Sequence, residues 1–314
     1  VVVYTSVDQV FAEPLLQAFE RSSGIQVLAV YDVEATKTIG LVQRLVTEKN
    51  KPRADVFWNN EFSQTLFLKS QGVLAPYTSP AAGGLPPNFR DPDNTWSAFG
   101  GRARVILVNT NLVKPGQEPD SVFSLLSSQY DPQQIGLANP LFGTTLTHSA
   151  ALYAALGSGP AKDLFQKAAA RGVQILDGNS VVRDRVVSGQ LAWGLTDTDD
   201  ACGALIKGEP VKAVFPDQAA NQPGTLLIPN TVGLVAGGPD PQNGKLLIDY
   251  LLSPGVEAAL VKSGSIQIPS RPLPAGAQQP CFANLKVRGM SVGFEEIYRS
   301  LEPAGTDLRE LFIK

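Results

Sequence analysis

The sequence predicts an α/β protein of two lobes, each a mixed sheet flanked by helices, with two strands crossing from one lobe to the other. Three observations lead there. The chain has 314 residues, about twice the ~150 typical of one domain. Strand-like and helix-like apolar periods alternate along it in two runs, as βαβ units do. Between the runs lies Tyr77–Asn94, rich in Pro, Gly, Ser and Asp, which reads as irregular surface chain.

In the first run, Val1–Tyr4 is an apolar, β-rich strand. Phe11, Leu15, Ala18 and Phe19 recur at helical spacing, and Ser22-Ser23-Gly24 ends that helix. Pro14 suits a first turn, which sets the expected start near Ala12. Ile25–Tyr31 and Ala54–Trp58 are strands, Ile39, Val42, Leu45 and Val46 form a helical stripe, and Leu66 to Gly72 is a helix with a glycine stop. The second run begins with the strand Arg104–Val108. Ile135–Ala138, Val173–Leu176 and Leu191–Leu195 are further strands. Helices are expected near Leu146–Leu156, over Ala161–Arg171 and from Asn179 to Ser188, with Gly157-Ser158-Gly159-Pro160 as a loop. Asp217–Gly224 is loop-like, Thr231–Val235 a strand, and Asn243–Leu252 and Val256–Lys262 helical. Pro269–Pro280 is rich in Pro and Gln, and Phe294–Ile313 reads as two helices parted near Pro303-Ala304-Gly305. The strands Arg104–Val108 and Thr231–Val235 are the two expected crossovers. They give one lobe of residues 1–103 and 231–275, and another of 104–230 and 276–314.

Composition narrows the function. With 26 Lys+Arg against 29 Asp+Glu the net charge is −3, and no basic run marks a nucleic-acid surface. No stretch approaches ~20 uninterrupted apolar residues, the length of a membrane span. The one histidine, His148, excludes His-rich metal sites, and any Ser-His-Asp chemistry would have to run through it. It sits inside a helical run, where an ordinary hydrogen-bonded role is the simpler reading. P-loop, GxSxG, HExxH and dinucleotide fingerprints are absent. Cys202 and Cys281 lack redox or metal spacing; in an exported protein they are expected to form one disulfide, and in a cytosolic one to be two inert core thiols. The opening on Val1-Val2-Val3-Tyr4 is expected of an exported chain after loss of its signal peptide, and equally of a chain shortened at its start.

The chemistry gathers where strands end, which in α/β sheets is where ligands bind. Thr196-Asp197-Thr198-Asp199-Asp200 follows the strand Leu191–Leu195. Its carboxylates would repel one another unless something cationic neutralises them. The competing reading is a capped helix with a solvated acidic first turn. Thr5-Ser6-Val7-Asp8, then Asp32 with Glu34-Ala35-Thr36-Lys37-Thr38, and Asn59-Asn60-Glu61 follow other strands. Asn139 to Thr145 and Asn179-Ser180 open helices whose free N–H groups suit an anion. The basic candidates are Lys37, Arg102, Arg104 and Arg183; alternation places Arg102 and Arg104 on one face of their strand.

These residues resemble the ferric-ion-binding type of extracytoplasmic solute-binding protein that serves ABC importers (family 1 solute-binding proteins). The carriers are Val3-Tyr4-Thr5-Ser6, Ala54-Asp55-Val56-Phe57-Trp58-Asn59-Asn60-Glu61, Gly101-Arg102-Ala103-Arg104-Val105, Ala138-Asn139-Pro140 with Phe142-Gly143-Thr144-Thr145, and Ile228-Pro229-Asn230-Thr231-Val232-Gly233-Leu234. Ala151-Leu152-Tyr153-Ala154-Ala155-Leu156-Gly157 and Asp249-Tyr250-Leu251-Leu252-Ser253-Pro254 add to them. The resemblance runs almost end to end. It implies a type II periplasmic-binding-protein fold, hinge closure on one ligand, a monomer without enzymatic activity, and delivery to a membrane permease from a periplasmic or other extracytoplasmic location.

The family's iron binders use two adjacent tyrosines, often with a histidine and a glutamate, and an anion held by a Ser/Thr-rich helix start and asparagines. The resemblance places Asp199 and Asp200 where the tyrosines stand, Asp8 near the histidine and Glu61 near the glutamate. Asn179 matches an anion-binding asparagine, Asp197 stands where a second would be, and Thr144 and Thr145 match the helix start. The expected ligand set is therefore Asp8, Thr36, Glu61, Arg102, Thr144, Thr145, Asn179, Asp197, Asp199 and Asp200. Asp8, Glu61, Asp199 and Asp200 are its metal candidates. No cofactor is implied; a metal ion would be cargo. The tyrosine pair, whose phenolates favour ferric iron, is thus missing; iron(III) or another hard metal ion or its chelate is still the expected cargo, and carboxylates are hard oxygen donors suited also to Ca²⁺, Mg²⁺ or Mn²⁺. They equally suit the amine of 2-aminoethylphosphonate, thiamine or a polyamine, and a carboxylate-cluster metal-dependent hydrolase is the rival class.

Overall fold

A computed structural model describes residues 1–32, 40–263, 267–273, 280–282 and 287–312. The chain divides into two compact units, Val1–Gly101 with Pro229–Gln279 and Arg102–Ile228 with Pro280–Lys314.

The first unit opens with β1 (Val2–Thr5) and α1 (Gln9–Ser23). The helix starts three residues before the expected Ala12, and Pro14 lies inside it. The Asp8 carbonyl accepts from the Phe11 and Ala12 N–H groups, which fixes the first turn ahead of the proline. The carbonyl that Pro14 leaves unpaired belongs to Val10, whose side chain is 70% exposed, so the loss falls on the solvent side. Then come β2 (Leu28–Tyr31), α2 (Gly40–Thr47), β3 (Val56–Asn59), α3 (Ser63–Ser70) and β4 (Leu74–Ala75). β5 (Ser97–Asn109) leads out of this unit into the second.

The second unit continues with β6 (Ile135–Ala138), α4 (Gly143–Leu156), α5 (Ser158–Arg171), β7 (Gln174–Leu176), α6 (Asn179–Val187), β8 (Trp193–Asp197), α7 (Thr198–Ile206) and β9 (Val211–Val214). Ser158, Gly159 and Pro160, expected as a loop, are the first turn of α5. Gly157, at φ 86°, makes the break alone, and proline suits a helix start. β10 (Leu227–Val235) returns to the first unit, which closes with α8 (Pro241–Leu251) and α9 (Pro254–Lys262). The final helix of the second unit is α10 (Phe294–Phe312).

α10 is one helix, not the expected two: Pro303 is inside it. Phe294, Ile297, Ala304 and Leu308 are buried on one side, an apolar stripe that runs past the proline and packs on α4 and α5. The carbonyl that Pro303 leaves unpaired is that of exposed Arg299. Asp307 fixes the docking by accepting from Tyr153 Oη at 3.1 Å and Lys162 Nζ at 2.7 Å.

In the first unit β2, β1 and β3 are parallel neighbours, with β10 antiparallel to β3 and β4 antiparallel to β10. Its core includes Tyr4, Val42, Leu45, Phe57, Leu68 and Val235. Buried Glu257 accepts from Gly100 N at 3.0 Å and Arg271 Nε at 2.8 Å. Gly100 has φ +50°, and a Cβ there would meet Gln267 Oε1 at 3.0 Å, so glycine is favoured at that bend of β5.

In the second unit β5 lies between β8 and β9, antiparallel to both, and β6 pairs in parallel with β8 and β7. Val105, Leu107, Ala138, Leu176, Val182 and Leu191 are in its core. A Cβ at Gly194 would come within 2.8 Å of the Gly136 carbonyl, so the β6–β8 contact demands a glycine there. Cys202 and Cys281 are joined as expected, with Cα atoms 5.6 Å apart.

Candidate functional site

The polar centre of the second unit is built on strand register. β5 and β8 pair so that Arg104 lies directly opposite Asp197. Arg104 is fully buried and Asp197 is 4% exposed. Arg104 Nη1 donates to Asp197 Oδ1 at 2.7 Å. Two helix starts close on the same carboxylate: Thr144 Oγ1, in the first turn of α4, donates to Asp197 Oδ2 at 2.6 Å, and Asn179 Nδ2, opening α6, donates to it at 3.1 Å. Arg104 Nη1 also reaches Asn179 Oδ1 at 3.0 Å and Thr144 Oγ1 at 3.2 Å. Thr145 Oγ1 is 3.5 Å from Asn179 Oδ1.

Asp197 ends β8 and precedes α7, yet its side chain makes no capping bond. The guanidinium opposite it is the better partner, since a charge-assisted bond exceeds a neutral one. The two following carboxylates stand in the first turn of α7, where the helix dipole favours them. Arg183, one turn along α6 from Asn179, donates to Asp200 Oδ1 at 2.8 Å. Thr196 Oγ1 lies 3.1 Å from Asp200 Oδ2. Arg102 Nη1 is 3.8 Å from Asp199 Oδ2. Thus each carboxylate of the trio faces one arginine: Asp197 with Arg104, Asp199 with Arg102, Asp200 with Arg183.

The pairing is unequal. Asp199 Oδ1 is enclosed and has no hydrogen-bond partner, although the side chain as a whole is 37% exposed. Burial raises the Asp199 pKa; Arg102 opposes the rise and Asp197 adds to it. Asp200 is pushed up to about 6, chiefly by burial and then by Asp199 and Asp197, against the pull of Arg183 and Thr196. His148, one turn after Thr144 on α4, is buried with its Nε2 unpartnered. Burial and the nearby Arg104 charge hold its pKa down to about 3, so it is neutral. The ordinary hydrogen-bonded role expected for this histidine is therefore not found at Nε2.

The structure brings Thr144, Thr145, Asn179 and Asp197 into one network, and sets Arg102 with Asp199. Arg104 and Arg183, which the expected ligand set omitted, organise it. Their sequence signal was weak, because the register that pairs Arg104 with Asp197 is a tertiary fact. In the first unit, Asp8 is exposed just before α1. Glu61 accepts from Ser63 N at 2.6 Å, Gln64 N at 2.8 Å and Asn59 Nδ2 at 3.1 Å, fastening the start of α3. Thr36 lies outside the described residues. Among the described residues no three or more His, Cys, Asp or Glu side chains form a metal-holding group.

The model of the bacterial extracellular solute-binding protein family matches residues 51–287. The chain belongs to that family. Among solved structures, a Trichodesmium protein (IdiA, FutA) in complex with iron and citrate is similar at TM-score 0.86 and 20% identity, covering 100% of this chain and 99% of that one. Ferric iron-binding protein A of Mannheimia haemolytica, in an open conformation, gives 0.85 at 19% identity, with coverages of 99% and 98%. By sequence, a periplasmic protein of Salmonella paratyphi A, provisionally assigned to 2-aminoethylphosphonate binding, is 26% identical over 243 residues, which is 75% of this chain and 67% of that protein. The fold is thus the two-lobed type II periplasmic-binding-protein fold, and this solute-binding protein is a non-enzymatic component of transport.

Proposed function

We propose that this solute-binding protein captures iron(III), or a small chelate of it, outside the cytoplasm and delivers it to the membrane permease of an ABC importer. The observation that carries the reading is the state of Asp199 and Asp200. These adjacent carboxylates begin one helix, one oxygen of Asp199 is enclosed without a partner, and burial raises both pKa values. The protein's own arginines under-compensate them, and a hard cation would supply the missing charge. Likeness to an iron complex and to ferric-binding proteins supports iron as that cation.

In this reading the lobes close on the cargo, with β5 and β10 absorbing the rotation. The first lobe contributes Asp8, Thr36 and Glu61. A carboxylate accepts about four hydrogen bonds, so Glu61 keeps room for a cation beside its bonds to α3. A second reading, an aminophosphonate with its ammonium on Asp199 and Asp200, is favoured by the Salmonella relative.

Native mass spectrometry of gently purified protein, set against the denatured mass, tests the two. A metal-sized increment that disappears in D199A/D200A, with the circular dichroism unchanged, is the expected result. An organic increment would replace iron by the second reading, and unchanged cargo binding by the double variant would remove these residues from the site.

A further inference from the structure

We propose that Asp197 is a built-in anion: it fills the donor set of Arg104, Thr144 and Asn179, so no external anion occupies those donors when the protein takes its cargo cation. A guanidinium, a hydroxyl in the first turn of a helix and a side-chain amide are the groups that hold a phosphate or carboxylate ligand. Here they converge on a carboxylate of the chain itself. Asp197 Oδ1 takes Arg104 Nη1 at 2.7 Å, and Oδ2 takes Thr144 Oγ1 at 2.6 Å and Asn179 Nδ2 at 3.1 Å. An external anion would have to displace a nearly buried carboxylate, or sit beside it as a like charge.

Arg104 carries the second observation. It is fully buried, its Nη1 is shared among Asp197, Thr144 and Asn179, and its Nε and Nη2 have no hydrogen-bond partner. The guanidinium therefore has more donors than Asp197 uses. With Asp197 neutral, a larger external anion would find both a charge to balance and free N–H groups. Asp197 is thus a specificity-determining residue: its charge excludes anions from this end of the site and leaves Asp199 and Asp200 as the cation-facing groups. Thr144 and Asn179 become positioning residues for Asp197. What this says about cargo rests on the solute-binding reading above; the closure to anions does not.

The probe is inorganic phosphate, in a buffer otherwise free of phosphate and carboxylates. Melting temperature and titration calorimetry are read on the wild type, D197N, and D197N/T144V. The wild type is expected to show no phosphate response. D197N should gain saturable binding, with melting raised by about 5 °C at phosphate roughly a hundredfold above its Kd. D197N/T144V should lose most of that gain, which places the anion at these donors. Wild-type protein that binds phosphate as tightly as D197N overturns the proposal. Should D197N not fold alone, refolding with phosphate, and of D197A with formate, replaces the melt. Absence of any anion rescue then overturns it too. Native mass separates this outcome from the cargo reading. Metal retained by the wild type only together with an anion refutes the built-in anion and leaves iron standing. Wild-type protein that takes up no added iron(III) refutes iron and leaves the phosphate result standing.

Discussion

Asp200→Asn should make the folded protein more stable at neutral pH, against the usual result of removing a salt-bridged residue. Asp200 accepts from Arg183 at 2.8 Å and its side chain is 15% exposed. Burial and the charges of Asp199 and Asp197 outweigh that bond, lifting the pKa from 3.8 to about 6. Such a rise corresponds to about 3 kcal/mol against the ionised form in the folded state. The folded pKa lies above the unfolded one, so the folded state holds the extra proton between about pH 4 and 6. Stability from this group is greatest below about pH 4, falls as pH rises to about 6, and is level beyond. Asparagine mimics the neutral acid and carries no such loss. Urea unfolding of wild type and D200N should therefore nearly coincide at about pH 4. At about pH 7.5 they should differ by about 3 kcal/mol in favour of D200N, a midpoint shift of ~1.5 M at a slope of ~2 kcal/mol/M. A variant less stable than wild type at neutral pH, or a difference independent of pH, would mean that Arg183 dominates and that the electrostatic reasoning is wrong.

Arg104→Met leaves Asp197 charged and nearly buried without its main partner, and should cost about 3–5 kcal/mol in urea unfolding; R104M/D197L should recover most of it, because the pair is then removed together. Replacing Cys202 and Cys281 by serine opens a link across 79 residues, which the chain-entropy model values at roughly 4 kcal/mol. Its loss should appear as a lower urea midpoint, and the unfolded, unreduced wild type should take up no alkylating label.

Much of the fold was legible because apolar spacing reports burial directly. Ile135–Ala138 is a strand over the same residues in the structure, since a short apolar run bounded by polar chain has few other uses in a βαβ unit. The errors came from local rules that tertiary contacts override. Pro14 and Pro303 each sit within a continuous helix, because the carbonyls they orphan lie at exposed residues while the opposite face stays packed. The stripe Phe294, Ile297, Ala304, Leu308 already carried that continuity, but the Pro-Ala-Gly sequence masked it. The candidate site was legible as residue types at strand ends, not as partners. Sequence alone left Asp197, Asp199 and Asp200 divided between a helix cap and a ligand cluster. The deciding fact, Arg104 opposite Asp197, joins residues 93 apart, and no short-range pattern encodes it.

The arginines do more than neutralise the trio; they rank it. Asp197 has a full set of donors at 2.6 to 3.1 Å. Asp200 has one guanidinium at 2.8 Å and a threonine. Asp199 has a guanidinium no nearer than 3.8 Å and backbone N–H groups of its own helix turn, and keeps one enclosed oxygen unpartnered. On the proposed cargo reading, an incoming cation would gain most where the protein has supplied least, which would make Asp199 its first ligand and Asp200 its second, with Asp197 left to Arg104. The same order makes binding compete with protons. The groups that gain most from a cation are those whose raised pKa values make them readiest to protonate. Cargo affinity should accordingly weaken as pH falls through about 6, where Asp200 takes its proton, while the Arg104–Asp197 pair keeps the walls of the site in place.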